Sequence, residues 1–313
     1  MGEPLSHGAA RLGVVSRVWV VGSLNVDRGW RVRRHPQVGE TVLGEEQAPA
    51  PGGKGLNQAV AARRFGAEVT LVGGVGDDHE GRWLTDLVAA EGIDASHVTA
   101  LVGQRTGSAL IVVDDAGANT VTVDAGANAS LAVGAMPVEA GDVVVAQLEV
   151  PVHAVRDAFA LAVDVGASSV LNPSPLGVDR SLLALADVVV VNQPEAAELA
   201  GSSHEAATAE AALHQAETIR RGGQTVLVTL GSDGAVASGP AGEVVVAGSK
   251  VDVVDTTGAG DCFLGVLVAE LADGQTMDHA IVRANRAAAV AVTRWGTVAA
   301  MPTADEIDQT GVR

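Results

Sequence analysis

Two glycines and two aspartates stand near the C-terminal end of the chain, between two apolar runs. The stretch DTTGAGD covers residues 255–261, follows VDVV and precedes CFLGVLVAEL. This order predicts a strand over 251–255 and a helix that begins within the glycines. Backbone N–H groups at a helix N-terminus bind anions, and glycine allows close approach because it carries no Cβ. The stretch therefore predicts an anion site at Gly258 and Gly260.

The acidic residue beside this predicted anion site has two interpretations. Asp261 repels an anion unless it acts as a general base, taking the proton from a hydroxyl group that attacks the anion. Alternatively, Asp261 is the N-cap of the helix, a position that aspartate favours in proteins generally. The seven-residue setting of glycines and aspartates favours the first interpretation.

A second glycine-rich stretch, PGGKGLNQAV over 51–60, also leads into a predicted helix. It is not the loop of P-loop nucleotide-binding proteins, because Lys54 is followed by glycine instead of serine or threonine. Gly53 predicts a tight turn, and Lys54 and Asn57 supply polar side chains. We expect these residues to bind a hydroxyl-rich ligand; the alternative is that Lys54 is only solvated.

Three more polar residues lie at the ends of predicted strands. Asn25 and Asp27 end the first one, in GSLNVD, and Glu149 ends another, in QLEVP. Alternation puts Asn25 and Asp27 on one face, and parallel sheets bind ligands beyond the carboxyl ends of their strands. A donor and an acceptor paired in this way can bind the two hydroxyls of a vicinal diol.

The segment VVVVNQPEAAEL places Asn192, Glu195 and Glu198 three residues apart, where a strand turns into a helix. Residues at this spacing share a helix face. They indicate either a water-mediated Mg²⁺ site, because Mg²⁺ keeps most of its waters, or an ordinary acidic first turn stabilised by the helix dipole.

Short apolar strands alternate with alanine-rich helical segments through most of the chain. The predicted strands cover 17–26, 68–76, 142–149, 168–174, 187–193 and 224–231. Strands that are apolar throughout have both faces covered by helices. The sequence therefore predicts an α/β fold with a doubly wound, mostly parallel sheet flanked by helices.

Two stretches, 28–50 and 103–125, interrupt this alternation with β-rich sequence and turn residues. We expect them to form a small β-sheet lid beside the main body. The remaining organisation is a flexible N-terminal tail over 1–16 and one domain over 17–313.

Composition narrows the function classes. The formal net charge is −18, from 20 basic and 38 acidic side chains, which argues against nucleic acid or anionic membrane as a partner. The single cysteine, Cys262, excludes an intrachain disulfide and suits the reducing cytoplasm. We expect a cytoplasmic protein.

With these motifs in view, the chain resembles the phosphofructokinase-B (PfkB) family of sugar kinases and, within it, the ribokinases. The resemblance runs from about Arg17 to Ile307. It rests on GSLNVD, GGKGLNQAVAARRFGAEV, GDD, DAGAN, NPSP, NQPEAAEL, TLGSDG and DTTGAGD, which follow one another in the order of the family. The most specific of these motifs is DTTGAGD.

The resemblance implies a role for each candidate residue. Asp261 would be the catalytic base, and Gly258, Ala259 and Gly260 would form the anion hole. The implied sugar contacts are Asn25, Asp27, Gly53, Lys54, Asn57, Glu149 and Asp261. The implied ATP contacts are Asn192, Thr229, Gly231, Ser232, Gly234, Gly260 and Asn285.

It also implies two cations besides the co-substrate ATP. Mg²⁺ would be organised by Asn192 and, through water, Glu195. A monovalent cation, K⁺, would lie beside the anion hole, with ligands Asp255, Thr257, Ala291, Arg294, Gly296 and Ala300. Ala300 stands where ribokinases often have serine, and Leu56 where they usually have a smaller residue.

The resulting expectation is an ATP-dependent kinase that converts D-ribose to D-ribose 5-phosphate and pairs through its lid into a homodimer. A nucleoside is a rival substrate, but the predicted lid offers only Trp30 for a base to stack on. A phosphorylated sugar is another, with Arg31, Arg33 and Arg34 available for its phosphate. A protein that only binds sugar is the third alternative, although it would need no base at Asp261.

Overall fold

The computed structural model of the protein describes residues 16–177 and 180–309. The predicted tail over 1–16 lies outside these residues except for Ser16. The strands are β1 Arg17–Val21, β2 Asn25–Val32, β3 Gly44–Glu46, β4 Ala50–Gly52, β5 Glu68–Gly76, β6 Asp94–Leu101, β7 Gly107–Val113, β8 Asn119–Asp124, β9 Val143–Gln147, β10 Ser168–Asn172, β11 Val188–Asn192, β12 Thr225–Thr229, β13 Gly234–Gly239 and β14 Gly242–Ala247. The helices are α1 Lys54–Arg64, α2 His79–Ala90, α3 Val152–Val165, α4 Gln193–Ala200, α5 Ala209–Ile219, α6 Ala259–Ala272, α7 Met277–Ala291 and α8 Ala304–Gln309.

Nine strands form the main sheet, in the order β14-β13-β12-β11-β10-β9-β1-β5-β6. Its pairs are parallel from β12 to β6, and β13 and β14 add an antiparallel edge. Alternate residues of β1 enter two different cores: Val18 and Val20 pack with α1, α6 and α7, whereas Trp19 and Val21 pack with α3 and α5. Covering both faces requires apolar residues throughout the strand, as predicted.

A second, five-stranded sheet contains β3, β2, β7 and β8 in that order, with β4 pairing with the other part of β2. It corresponds to the predicted lid segments, although its strands begin at Asn25, before residue 28. Asp27, Gly29 and Arg31 share a face with Ala109, Ile111 and Val113, their partners in β7. This face looks toward the carboxyl edge of the main sheet, where it lines a cavity described below.

Two strand predictions were wrong. The run over 17–26 is not one strand, because β1 ends at Val21 and Asn25 begins β2 in the small sheet. Residues 251–255 form no strand and are instead bound to the end of α7, where Val254 N and Asp255 N both donate to Val292 O. The sequence reading also missed β6 and the hairpin of β13 and β14.

Helices α1 and α6 approach each other unusually closely at Gly265. A Cβ on this residue would lie 2.5 Å from both Gln58 O and Ala61 Cβ of α1. The start of α1 is packed just as closely on the end of β1, since a Cβ on Gly22 would lie 2.6 Å from Gly55 Cα. Only glycine fits at these contacts, so the positions of α1 and α6 are set relative to each other and to the sheet.

None of the helices in the described part of the chain has the length and apolar character needed to cross a lipid bilayer.

The helix contact leads to a prediction for stability. Gly265→Ala should lower the free energy of unfolding by about 1–3 kcal/mol, because the added methyl overpacks the contact between α1 and α6. Urea titration measures the change. The matched control is Gly223→Ala, where a Cβ would meet no atom within 4 Å and the expected change is within about 0.5 kcal/mol. Equal effects of the two substitutions would contradict the account of this contact.

Candidate active site

Helix α6 begins immediately after Gly258, which is its N-cap and has a left-handed backbone conformation with φ 75°. Such a backbone favours glycine strongly. Asp261 lies in the first turn, so its interpretation as the N-cap was wrong. A Cβ on Gly260 would meet no protein atom within 4 Å. The glycine at 260 therefore leaves open space in front of the first turn, which suits close approach by a ligand.

The side chain of Asp261 is held by residues of α1. Asn57 Nδ2 donates to Oδ2 at 3.0 Å, and Gln58 Nε2 donates to Oδ1 at 2.9 Å. Lys54 Nζ lies 3.9 Å from Oδ1. Asp261 is only 7% exposed. A buried carboxylate held by two amides and one ammonium has a fixed orientation and a compensated charge.

The electrostatics of Lys54 depend on the same contact. The negative charge of Asp261 raises the pKa of Lys54; burial opposes this, and Glu149 and Glu195 add to the increase. The ammonium group therefore stays charged inside the site. It is the positive group that an acidic protein needs if it is to bind a polyanion.

Glu149 follows β9 and also contacts the start of α1. Its Oε2 accepts hydrogen bonds from Ser23 Oγ and, at 3.1 Å, from Lys54 N. A carboxylate at this position satisfies a backbone donor at the helix N-terminus. The structure thus brings Glu149 and Lys54 together, as the sequence predicted.

Asn25 and Asp27 do share one face, although on β2 instead of β1. Asn25 Oδ1 accepts a hydrogen bond of 2.8 Å from Asn128 Nδ2. The same Asn128 side chain bonds to both the N–H and the carbonyl of Leu24. Since its oxygen is already bonded, Asn25 is left to present its amide as a donor.

Asp27 packs against the backbone of β4, so that a Cβ on Gly52 would lie 2.2 Å from its Oδ2. Burial and, to a smaller extent, the negative charges of Glu149 and Asp261 raise the pKa of Asp27 to about 7. Asn25 is therefore the donor of the pair and Asp27 the acceptor, and the charge of Asp27 changes near neutral pH. Nearby, Gly53 has φ 92°, and a Cβ there would lie 2.9 Å from Asn25 N.

Two cavities meet in front of the first turn of α6. One, of about 700 Å³, lies under the small sheet and includes Asp27, Trp30, Asp255 and Trp295 in its lining. The other, of about 540 Å³, extends away from the sheet; its lining includes Thr229, Gly231, Ser232, Gly234, Ala259, Gly260, Phe263 and Asn285. Val253 and Thr256 line both cavities. The arrangement has room for two ligands that meet beside the start of α6.

The second cavity contains a polar atom without a partner. Asn285 Nδ2 is buried and has no hydrogen-bond partner among residues 16–177 and 180–309. Asn57 Oδ1, beside Asp261, is buried and unpartnered in the same way. Buried polar groups in folded proteins are nearly always hydrogen-bonded. Each of these atoms is therefore available to a ligand.

Asn192 and Glu195 form a capping box at the start of α4. Glu195 N donates to Asn192 Oδ1 at 2.9 Å, and Asn192 N donates to Glu195 Oε2 at 3.0 Å. This is the geometry of an ordinary acidic first turn, which the sequence offered as the alternative to a Mg²⁺ site. Glu195 nevertheless acts electrostatically on Lys54, so it faces the site. Glu198 instead lies 3.6 Å from Arg180.

The predicted ligands of a monovalent cation lie on three neighbouring segments. Asp255 Oδ1 accepts from Thr257 N and Oγ1, at 2.9 and 2.7 Å, and Asp255 Oδ2 accepts from Gly296 N at 3.0 Å. Ala291 ends α7, and Arg294 pairs with Glu306. Ala300 is buried in the 3₁₀ turn Val298–Ala300. Asp255, Thr257 and Gly296 are thus brought together directly.

Sequence reasoning missed several residues of the site. Trp295, in the loop after α7, lines the cavity under the small sheet, and Arg31 Cζ lies 5.8 Å from the centre of its ring. Gln58 and Asn128 position Asp261 and Asn25. Gln58 immediately follows Asn57 in the GGKG stretch, and Asn128 ends DAGAN, so both lay within motifs that had been noticed.

The comparisons with known proteins agree with this geometry. The model of the pfkB family of carbohydrate kinases matches residues 15–304. A ribokinase of Haemophilus influenzae is 35% identical over 294 residues, covering 92% of this chain and 95% of that protein. A ribokinase of Staphylococcus aureus is 35% identical over 306 residues, covering 95% and 100%. The structure of Arabidopsis thaliana ribokinase complexed with ribose and ATP superposes with a TM-score of 0.84 at 25% identity, covering 95% of this chain and 98% of that one.

The raised pKa of Asp27 leads to a prediction for the free protein. The carboxyl ionises near 3.8 in the unfolded chain but near 7 in the folded one, so this group's contribution to stability falls as pH rises through that window. Asp27→Asn removes the contribution. We compare the free energy of unfolding of the variant with that of the unsubstituted protein. The difference between them should rise in favour of the variant by roughly 1–3 kcal/mol from pH 5 to pH 8, a value that allows for partial exposure. Urea titrations of both proteins measure this difference. A difference independent of pH would contradict it.

Proposed function

The chain belongs to the pfkB family of carbohydrate kinases, and on that premise we propose that it transfers the γ-phosphoryl group of ATP to the primary hydroxyl of D-ribose. The product is D-ribose 5-phosphate. The observation that carries the proposal is the buried Asp261 carboxylate, which Asn57 and Gln58 hold one residue after Gly260, a residue that lines the second of the two adjoining cavities. The sugar occupies the cavity under the small sheet, and ATP occupies the other.

Asp261 acts as the general base. It takes the proton from the attacking hydroxyl while the hydroxyl oxygen forms a bond to the γ-phosphorus and the bond to the β-phosphate oxygen breaks. The amides of Asn57 and Gln58 keep both carboxylate oxygens in a fixed orientation. Most of the catalysis then comes from position and from neutralised charge.

The γ-phosphoryl group is bound by the N-terminus of α6. Ala259 N already donates to Thr256 O at 3.2 Å, so the donors of this turn would be the N–H groups of Gly258 and Gly260. The helix dipole favours negative charge in the open space in front of Gly260. Lys54, whose raised pKa keeps it charged, supplies the side-chain cation. These donors are fixed before the reaction, so they stabilise the transferring group without reorganising.

The sugar is recognised by donors and acceptors on two elements. Asn25 donates through its amide, and Asp27 accepts from neighbouring hydroxyls. The starting turn of α1 adds Gly53, Lys54 and the unpartnered Asn57 Oδ1. Glu149 holds that turn through its hydrogen bond from Lys54 N. A ligand rich in hydroxyl groups satisfies this set, because a hydroxyl both donates and accepts.

ATP lies along the second cavity. Its lining includes Gly231 and Gly234, which carry no side chain, and this leaves room for a flat base and a ribose. The unpartnered Asn285 Nδ2 is available to an acceptor of the nucleotide. Similarity to a ribokinase whose structure contains ribose and ATP supports this assignment.

Mg²⁺ would be held beside the nucleotide by Glu195 through water, with Asn192 fixing that carboxylate. The donor set fits, because Mg²⁺ needs only one or two carboxylates when phosphates supply its other ligands. Bound there, it would neutralise phosphate charge. Omission of Mg²⁺ from the assay should abolish turnover.

K⁺ would be held beside the anion hole by Asp255, Thr257, Gly296 and the main chain near Ala291, Arg294 and Ala300. The carboxylate of Asp255 and main-chain carbonyls of these residues would make an all-oxygen donor set, which suits a hard cation. Bound there, K⁺ would add positive charge beside the Gly258–Gly260 turn. Rates in K⁺ and in a large organic cation, at matched ionic strength, test this assignment.

A nucleoside is the second candidate acceptor. Trp30 and Trp295 both line the sugar cavity, which therefore has more aromatic surface than the sequence indicated. The phosphorylated-sugar alternative has less support: among the three arginines, Arg31 lines the cavity, whereas Arg34 pairs with Glu40. A purely sugar-binding protein remains disfavoured, because it would need no buried base.

A homodimer through the small sheet is part of the proposal. β8 is an edge strand whose six residues are all exposed, including Val121 and Val123 at 53% and 49%. Pairing with a second copy would cover this apolar edge. Sedimentation of Val121→Lys against the unsubstituted chain tests it. A cytoplasmic location is consistent with the free, buried thiol of Cys262.

The substrate assignment predicts a preference. The kcat/KM for D-ribose should exceed that for adenosine by at least about tenfold, which needs only about 1.4 kcal/mol of selective binding in the transition state. Coupled ATP-turnover assays measure both values, and ³¹P NMR identifies the product as the 5-phosphate. A higher value for adenosine would replace ribose by a nucleoside as the substrate.

The base assignment predicts the effect of Asp261→Asn. This variant keeps the shape of the side chain and one acceptor but cannot take a proton. Its kcat should fall by roughly 10²–10⁴-fold, while the thermal melt and ATP affinity stay near normal. A single-turnover assay, a melt and an ATP titration on one preparation separate chemistry from folding. Turnover near the unsubstituted rate would exclude Asp261 as the base.

A further inference from the structure

A chain of three buried side chains ends at Asp261. Gln147, the last residue of β9, donates through Nε2 to Gln58 Oε1, and Gln58 Nε2 donates to Asp261 Oδ1. Gln147 and Gln58 are both 0% exposed. The chain connects the main sheet to α1 and then to α6, and none of the functions described above accounts for Gln147 or for the effect of Gln58 on the proton of Asp261.

The direction of each hydrogen bond in this chain is fixed. An ionised Asp261 can only accept, so Gln58 must turn its Nε2 toward it. The oxygen of Gln58 then faces Gln147, which must turn its own Nε2 toward Gln58. Gln147 Oε1 is left next to Gly22, where a Cβ would lie 2.2 Å from it, so little space remains for the amide to rotate. The two amides therefore donate in sequence: Gln147 donates to Gln58, and Gln58 donates to Oδ1 of Asp261.

We propose that Gln58 is a positioning residue for the phosphoryl transfer, and that Gln147 holds it in the orientation that donates to Asp261. The donated hydrogen bond stabilises the ionised form of the base and directs its remaining lone pairs toward the acceptor hydroxyl. The proposal rests on the proposed function of Asp261 as the base and adds the residues that orient this base.

The charged and titratable groups around Asp261 come from several elements. Lys54 lies on α1, Asp27 on β2 and Cys262 next to Asp261 on α6, and Glu149 follows β9. All four are unchanged in a variant at position 58. A change in the pH dependence of such a variant therefore reports the lost hydrogen bond.

The test is Gln58→Met, which keeps the length of the side chain but has no donor. At saturating ribose and ATP, kcat reports the ionisations of the bound complex. A carboxylate that loses a donor holds its proton more readily, so the acid limb of the kcat profile should move to higher pH by roughly one to two pH units. Gln147→Met should change the profile in the same direction but less, because Gln58 then turns freely. A KM for ATP near that of the unsubstituted enzyme is expected in both.

The matched control is Gln215→Met, which removes a buried amide of α5 that donates to His204 O instead of to the site. The melting temperature of this control should fall about as far as that of Gln58→Met, with no change in the shape of its kcat profile against pH. If Gln58→Met lowered kcat by the same factor at every pH, the positioning role would be wrong and the residue would serve packing alone.

A second measurement needs no turnover. In protein labelled with ¹³C at aspartate Cγ, the Asp261 resonance, assigned through its loss in Asp261→Asn, should titrate at higher pH in Gln58→Met or Gln147→Met than in the unsubstituted protein. Unchanged titration would overturn the proposal. If the titration moved but no sugar or nucleoside were phosphorylated, the positioning would stand and the proposed function would fall.

Discussion

The close contact between α1 and α6 at Gly265 is the constraint on which the rest of the site depends. It brings the first turn of α6 alongside the first turns of α1, so that one carboxylate faces three polar side chains of a distant segment. The separation of these residues along the chain is about two hundred positions. No local preference could hold them together; the packing of two helices on one face of the sheet does.

The main sheet supplies the second half of the arrangement. Its parallel strands end at one edge, and the chain leaves β1 and β9 there to deliver Ser23, Asn25 and Glu149 toward α1. The small sheet then covers this edge and brings Asp27 over the cavity. The candidate binding groups thus come from loops and strand ends, while the charged pair lies on the two packed helices. A carboxylate in a fixed position next to cavities of ligand size is what the proposed phosphoryl transfer requires.

The sequence predicted which residues lie in the candidate site better than it predicted the geometry of that site. DTTGAGD contains Gly260, which lines a cavity, and Asp261, which contacts Lys54 of GGKG. NQPE contains Glu195, which acts on Lys54. Glycines and polar residues that follow apolar runs are typical of ligand sites. The run over 17–26 was misleading, since RVWVVGSLNV is apolar nearly throughout and conceals the break at Gly22 that sends Asn25 into another sheet. The apolar run VDVV predicted a buried strand, but Val253 and Val254 are 61% and 41% exposed. Hydrogen bonds to the end of α7 replace a strand partner there. Trp295 and Gln147 gave no signal at all, because only tertiary packing brings them near the site.

The central claim is that the buried carboxylate of Asp261 faces the hydroxyl group that is phosphorylated. A crystal structure of the protein with D-ribose and a non-hydrolysable ATP analogue tests it most directly, through the distance between an Asp261 carboxylate oxygen and O5 of the sugar. The account predicts roughly 2.6–3.2 Å, with O5 on the far side of the γ-phosphorus from its leaving oxygen. A sugar whose O5 lies beyond reach of Asp261, with another hydroxyl or another residue in its place, would contradict it.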